Sequence, residues 1–296
     1  MPIRLVRVPA SDRKRVLIFS DVTNEADDPF AIAHALLSPS LEARGIVATH
    51  YVRPGTMEES YAAALELAEI MGSDAPVLRG AEGPLETLGQ DAPLSEGARF
   101  LIDEALAPDS RPLYVLVFGA ITEVAEALRE NPSIAERIIV VFVGGAPYPE
   151  GGREANLSHD LVAAREVFAS PVELWQLTSA AYSQMTVSIA WLARHIAPLG
   201  KLGMHLFDRV VDFAEANSCK FWVRPENWHL GDNVAVAAVL FDGCMPYETR
   251  VAPAIGEGGV YEEGTGREIR VYEKVDARLI VDDLVAKLEL FEEGLI

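Results

Sequence analysis

The sequence predicts an α/β fold: an open, doubly wound, mostly parallel sheet of Rossmann-like type, with additional helices and a small β hairpin in the C-terminal third. Three observations carry this. Short apolar runs rich in β-branched residues recur through residues 15–177, and they are apolar almost throughout instead of alternating. Continuous apolarity suits strands covered on both faces, as in a parallel sheet. Each run is followed by a segment of helical pattern, and a β-then-α alternation calls for right-handed crossovers.

In chain order, the strand candidates are residues 15–20, 43–50, 75–80, 112–119, 137–145 and 171–177. The helix candidates between them are residues 29–37, 56–72, 95–106, 121–132 and 159–168. After about residue 180 the rhythm changes. Residues 187–216 read as two helices broken at Pro198–Gly200, followed by an aromatic, Pro-containing loop over 221–232 and a helix over 233–241. Strand-like segments at 248–255 and 268–275 flank a Gly-rich loop, and a helix over 277–291 closes the chain. That loop lacks the Lys and the strand-to-helix context of a phosphate cradle. No linker or repeat interrupts the pattern, so residues 1–296 are expected to form a single domain.

Composition narrows the function classes. The chain has 296 residues, 50% hydrophobic, enough for one large core. No stretch approaches the roughly 20 apolar residues needed to cross a bilayer. The basic start has no apolar region of signal-peptide length behind it, and the two cysteines, Cys219 and Cys244, lack zinc-ligand spacing. A cytoplasmic protein with reduced thiols is the expectation. The formal net charge of −20 repels nucleic acid and anionic membranes, so neither is expected as a partner.

Ligands of open α/β sheets bind at the carboxyl ends of the strands. The first strand ends in "SDVTNEADDPF", which puts Asp21, Asn24, Glu25, Asp27 and Asp28 within eight residues. The second is followed by Thr49, His50, Tyr51 and Arg53; the fifth by Gly144-Gly145, then Glu154, Asn156, His159 and Asp160. Asp232 opens a late helix behind Trp222 and Trp228. Taken singly, Asp27 and Asp28 could be acidic residues of a helix first turn, Asp232 a plain N-cap, and His50 a strand-end histidine bonded to backbone. Together, the carboxylates repel one another unless a cation or donors compensate. A hard, oxygen-preferring ion such as Ca²⁺, with about 6–8 oxygen ligands, meets that need. No G-x-S-x-G nucleophile elbow is present. A phosphatase-like use of Asp21 as nucleophile would need an Asp where Thr23 stands.

These residues resemble the inosine–uridine preferring nucleoside hydrolases, a metal-dependent N-ribohydrolase family. The opening segment is similar to a strand followed by D-T-D-P-G-x-D-D, and D-x-x-N-E-x-D-D-P-F-A-I resembles a subgroup with a turn two residues longer. PVLRGAEGPL is similar to "PV-x-x-G-A-x-x-P-L", VFGAITEVAEAL to "GPLTNLA-x-AL", and VVFVGGA to "I-x-MGGA". EANLSHDLVAAREVF is similar to "EFN-x-x-x-DPEAA-x-VF", and LGDNVAVAAVL to "HDPLAVAYLL". The likeness spans residues 14–245.

The resemblance implies hydrolysis of the N-glycosidic bond of ribonucleosides to free base and ribose. It implies a Ca²⁺ ion bound by Asp21, Asp28, Asp232 and the Phe118 carbonyl, with Asp21 as general base on a metal-bound water. Asp27 would bond a ribose hydroxyl, Glu154 and Asn156 would hold the 5′ side and ring edge, and Asn24 and His50 belong to the same substrate-binding set. A homodimer or homotetramer is expected. Several positions depart from the family pattern: Phe19 for its first Asp, Thr49-His50-Tyr51 for a second-strand "GN", and Gly231 for a leaving-group histidine. His229 is the candidate replacement as acid, and Trp222 and Trp228 are candidates to stack on the base. A catalytically weak ribosyl-binding protein that retains the metal site is the alternative.

Overall fold

The computed structural model describes residues 7–51, 53–89, 92–264 and 266–296. Its strands are β1 (Lys14–Ser20), β2 (Leu41–Ala48), β3 (Val77–Arg79), β4 (Leu113–Val117), β5 (Ile138–Val143), β6 (Glu173–Leu177), β7 (Thr186–Ser188), β8 (Asn227–His229), β9 (Glu248–Val251), β10 (Ala254–Ile255), β11 (Tyr261–Glu262) and β12 (Glu268–Tyr272). Its helices are α1 (Asp28–Leu36), α2 (Thr56–Met71), α3 (Glu96–Leu106), α4 (Thr122–Glu130), α5 (Ala155–His159), α6 (Leu161–Ala169), α7 (Ser179–Tyr182), α8 (Ile189–His195), α9 (Gly200–Ala216), α10 (Asn233–Leu240) and α11 (Ala277–Glu292).

Among the described residues, eight strands form one sheet in the order β3-β2-β1-β4-β5-β6-β12-β9. All neighbours are parallel except β9, which runs antiparallel to β12 at the edge. The expected C-terminal hairpin therefore exists, but it is fused to the main sheet through β12 and β6. Strand order reverses between β1 and β4, the topological switch point where open α/β sheets place their ligands.

The apolar run of β1 has its explanation in the two faces. Val16 and Ile18 pack into one core with residues of α1, α10 and α11, while Leu17 and Phe19 pack into the other with residues of α3, α4 and α6. Helices α1 and α10 are apolar nearly all round because both are buried for most of their length. Among the described residues no helix is long and apolar enough to cross a membrane.

Two boundaries differ from expectation. The helix expected over 159–168 is two helices, broken at Asp160, whose backbone leaves the helical region and whose side chain accepts from Ala163 N to start α6. The loop expected over 221–232 contains β8, which pairs antiparallel with β7. Segments this short carry too few residues for a period-2 pattern to register. The break at Pro198–Gly200 is present, with Gly200 at φ +61° opening α9.

Candidate functional site

At the switch point β1 ends in Ser20, and Asp21 follows almost fully buried. A turn closed by Asn24 N donating to the Asp21 carbonyl at 2.7 Å leads to Asp27 and Asp28 at the head of α1. Ser20 Oγ donates to Asp28 Oδ1 at 2.5 Å, holding that carboxylate over the strand end. Helix α10 arrives from the other end of the chain and places Asp232 opposite. Neither Asp27 nor Asp232 caps its own helix with its side chain, so the plain N-cap reading of Asp232 does not apply. Instead the backbone N–H of Asp232 donates to Asp27 Oδ2 at 3.4 Å. Gly231 permits the approach, since a Cβ there would lie 3.0 Å from Asp27 Oδ2.

One carboxylate oxygen each from Asp27, Asp28 and Asp232 lies within 4.8 Å of the others, and all three residues are buried. Burial, then neighbouring carboxylates, push Asp28 and Asp232 well above the ordinary carboxylate range, and Asp27 to about 6. Glu25, in the same turn, is pushed up to about 8 by burial, then by Asp27 and Asp21. Like charges out of water need a compensating cation, and the donors here are all oxygens, the set preferred by calcium and magnesium. Among the described residues, Asp21 Oδ2 and Thr49 Oγ1 are buried without an aligned hydrogen-bond partner. Both side chains flank Gly119, where a Cβ would come within 2.8 Å of Asp21 Oδ1 and 2.7 Å of Thr49 Oγ1. Orphaned oxygens around a tight cradle fit a bound cation or its water. The residues present could hold a metal ion.

The opposite wall comes from the segment after β5. Glu154 accepts from Gly145 N at 2.7 Å and Leu157 N at 2.9 Å through Oε2, and Tyr182 OH donates to its Oε1 at 2.9 Å. Asn156 spends both amide hydrogens on strand-end carbonyls, Phe118 O at 2.7 Å and Val143 O at 2.9 Å. It thereby fixes the Phe118 carbonyl, which keeps a second lone pair. Asp21, Asn24, Glu25, Asp27, Asp28, Phe118, Glu154, Asn156, Tyr182 and Asp232 share one pocket of about 60 Å³.

That pocket adjoins a vestibule of about 1110 Å³, with which it shares Asn24, Glu25, Glu154 and Tyr182. His50, Tyr51, His159, Phe221 and Trp222 supply much of the vestibule's lining. His50 is buried; its Nε2 lies 2.9 Å from Thr122 Oγ1, which donates to Asp160 Oδ2 at 2.8 Å. Asp160 accepts only, so Thr122 must accept from His50, and the imidazole carries its proton on Nε2. Burial, then His159, lower His50 to about 4.

Two candidates from the sequence do not reach either pocket. Trp228 is buried in the core, edge-on to Phe213 at 5.3 Å, and His229 is exposed, with Nδ1 3.1 Å from Thr186 Oγ1. Successive strand residues point to opposite faces, so β8 buries Trp228 and turns His229 outward. Conversely, Tyr182 enters the site without having stood out in the sequence. Tyr182 sits in a four-residue helix with no pattern of its own; only its bond to Glu154 reveals it.

The chain resembles known proteins in the same terms. A family model described as "Inosine-uridine preferring nucleoside hydrolase" matches residues 16–282. The "Non-specific ribonucleoside hydrolase RihC" of Klebsiella pneumoniae (strain 342) is 27% identical over 184 residues, 54% of this chain and 60% of that protein. The match thus spans about three-fifths of that curated relative's length. Among solved structures, a purine-preferring ribonucleoside hydrolase from Gardnerella vaginalis superposes with a TM-score of 0.79 at 20% identity, covering 95% of this chain and 100% of that one. An inosine-uridine preferring nucleoside hydrolase from Bacillus anthracis gives 0.71 at 16% identity, covering 93% and 99%. At these identities the two structures speak for the fold.

Proposed function

The chain belongs to the inosine-uridine preferring nucleoside hydrolase family, and on that premise we propose that it hydrolyses the N-glycosidic bond of ribonucleosides to free base and ribose. The observation that carries the reading is the meeting of Asp21, Asp27, Asp28 and Asp232 in a small oxygen-lined pocket that opens into a larger aromatic vestibule. The first suits a ribose and a cation, the second a nucleobase.

Asp21, Asp28, Asp232 and the Phe118 carbonyl would hold the cation, which we take to be calcium. When bound it would supply Lewis-acid polarisation of water and of the ribose hydroxyls. Asp21 takes the proton from the attacking water. Asp27 accepts from a ribose hydroxyl, and Glu154, held by Tyr182 and two backbone N–H groups, accepts from the 5′ side. Breaking the bond builds positive charge on the sugar, and the ring of carboxylates stabilises it. Asn24 and His50 face the substrate from the vestibule side, where Trp222 offers a stacking surface.

A panel of nucleosides and p-nitrophenyl riboside, assayed with calcium and with chelator, tests the reading. Chelator-sensitive release of base or nitrophenol is expected; no release from any substrate at high enzyme concentration would defeat it. A ribosyl-binding protein with little turnover is the second reading, favoured by the outward placement of His229. Binding of ribonucleosides without release would establish it. We also take the protein to assemble as a homodimer or homotetramer, which light scattering would decide.

A further inference from the structure

Asp21 has one neighbour that the catalytic scheme leaves without a part. His159, the last residue of α5, brings Nε2 to 3.3 Å from Asp21 Oδ2, and both side chains are at least 95% buried. The same nitrogen lies 3.3 Å from the Asn24 side-chain amide. Tyr51 packs on the ring, with centroids 6.4 Å apart at 50°, and its OH donates to the Thr23 carbonyl at 3.2 Å. Asn24, Thr23 and Asp21 belong to one turn, so the imidazole and the phenol grip that turn from one side.

Resting on the hydrolase reading for what Asp21 does, we propose that His159 is a positioning residue for Asp21, itself steered by Asn24. Asp21 is a carboxylate and can only accept, so the imidazole must present an N–H from Nε2; a lone pair there would face negative charge. With that proton in place, the Asn24 amide fits best with its oxygen toward Nε2, a half-turn that frees its NH₂ for the pocket. The approach to Asp21 is long and off the axis of a strong hydrogen bond, since Oδ2 has no aligned partner among the described residues. His159 therefore orients the carboxylate while leaving a lone pair of Oδ2 for a cation or a water. A tightly bonded partner would have consumed it. The arrangement also accounts for the length of the turn, which carries Asn24 to the ring.

Leucine at 159 fills the volume without a donor, and glutamine restores an N–H at similar reach. Outer partners of metal-binding carboxylates change metal affinity or activity by about 10–100-fold when removed. His159→Leu is therefore expected to lower kcat on p-nitrophenyl riboside, or to weaken calcium binding measured by calorimetry, by about 10–100-fold, with KM changed less than about threefold. His159→Gln should recover most of the loss. Asn24→Ala should add little to the loss of calcium affinity in the His159→Leu background, because toward Asp21 the two act in series. Unchanged kcat and calcium affinity in His159→Leu would overturn the proposal, as would equal damage from His159→Gln, or fully multiplicative effects of His159→Leu and Asn24→Ala on calcium affinity. If the unaltered protein cleaves no riboside, the hydrolase reading fails separately, and the calcium titrations still decide the part played by His159.

Discussion

The backbone N–H of Asp232 reaches Asp27 Oδ2 at 3.4 Å, joining residues 205 positions apart. The bond brings the heads of α1 and α10 together and sets their carboxylates face to face. Such a pairing of like charges is tolerable only if something of opposite charge, or a proton, shares the space.

Removing one charge should therefore relieve the protein when cations are scarce. Asp28→Asn and Asp232→Asn are expected to melt at or a few degrees above the unaltered protein in chelator. Calcium at about 100 times its dissociation constant should stabilise the unaltered protein by about 2.7 kcal/mol and the variants far less. Thermal melts with and without calcium check this. A large loss of melting temperature in chelator would mean that the carboxylates serve the fold directly.

Glu123 offers a pH test away from the cation pocket. It is fully buried, accepts from Ala81 N at 2.8 Å through Oε1, and has no partner on Oε2 among the described residues. Burial, followed by Glu126 and Asp160, raises it from about 4.5 to about 8. The folded state holds its proton longer than the unfolded one, so this group's contribution to stability falls as pH rises from about 4.5 to about 8 and is level above that. Glu123→Gln keeps the acceptor and cannot ionise. Urea unfolding at pH 5 and pH 8 should show the variant gaining on the unaltered protein by at least about 1.4 kcal/mol at the higher pH, one pKa unit's worth. Parallel pH profiles would contradict it.

Asn156 joins the carboxyl ends of β4 and β5 through two hydrogen bonds to carbonyls. Asn156→Ala is expected to cost about 1–3 kcal/mol of stability, since two buried acceptors lose their donor. It should also weaken calcium binding if the Phe118 carbonyl is a ligand. A variant with intact stability would mean that water replaces the amide.

Trp222 and His229 can be separated by kinetics. Trp222 lines the vestibule, so Trp222→Ala should raise KM for nucleosides several-fold with little change in kcat. His229 faces Thr186 outside both pockets, so His229→Ala is expected to stay within about twofold of the unaltered kcat on purine nucleosides. A tenfold fall would return His229 to the leaving group.

The sheet was legible because each strand's apolarity reflects cover on both faces, which is a property of neighbouring residues. The acidic turn was legible for a similar reason: Asp21, Glu25, Asp27 and Asp28 exceed what helix capping calls for. Trp228 and His229 were drawn to the site by nearness in sequence to Asp232. The β7–β8 pairing turns one into the core and the other into solvent, and a three-residue ribbon leaves no readable period.

By itself, then, the sequence determined a parallel α/β sheet and an oxygen-rich strand end at its switch point, because period, burial and charge density are local. Only the tertiary structure decided that Asp27 meets Asp232, that Asn156 clasps Phe118 and Val143, and that His159 turns toward Asp21. Those contacts depend on how helices pack across the sheet, and distance along the chain does not encode that packing.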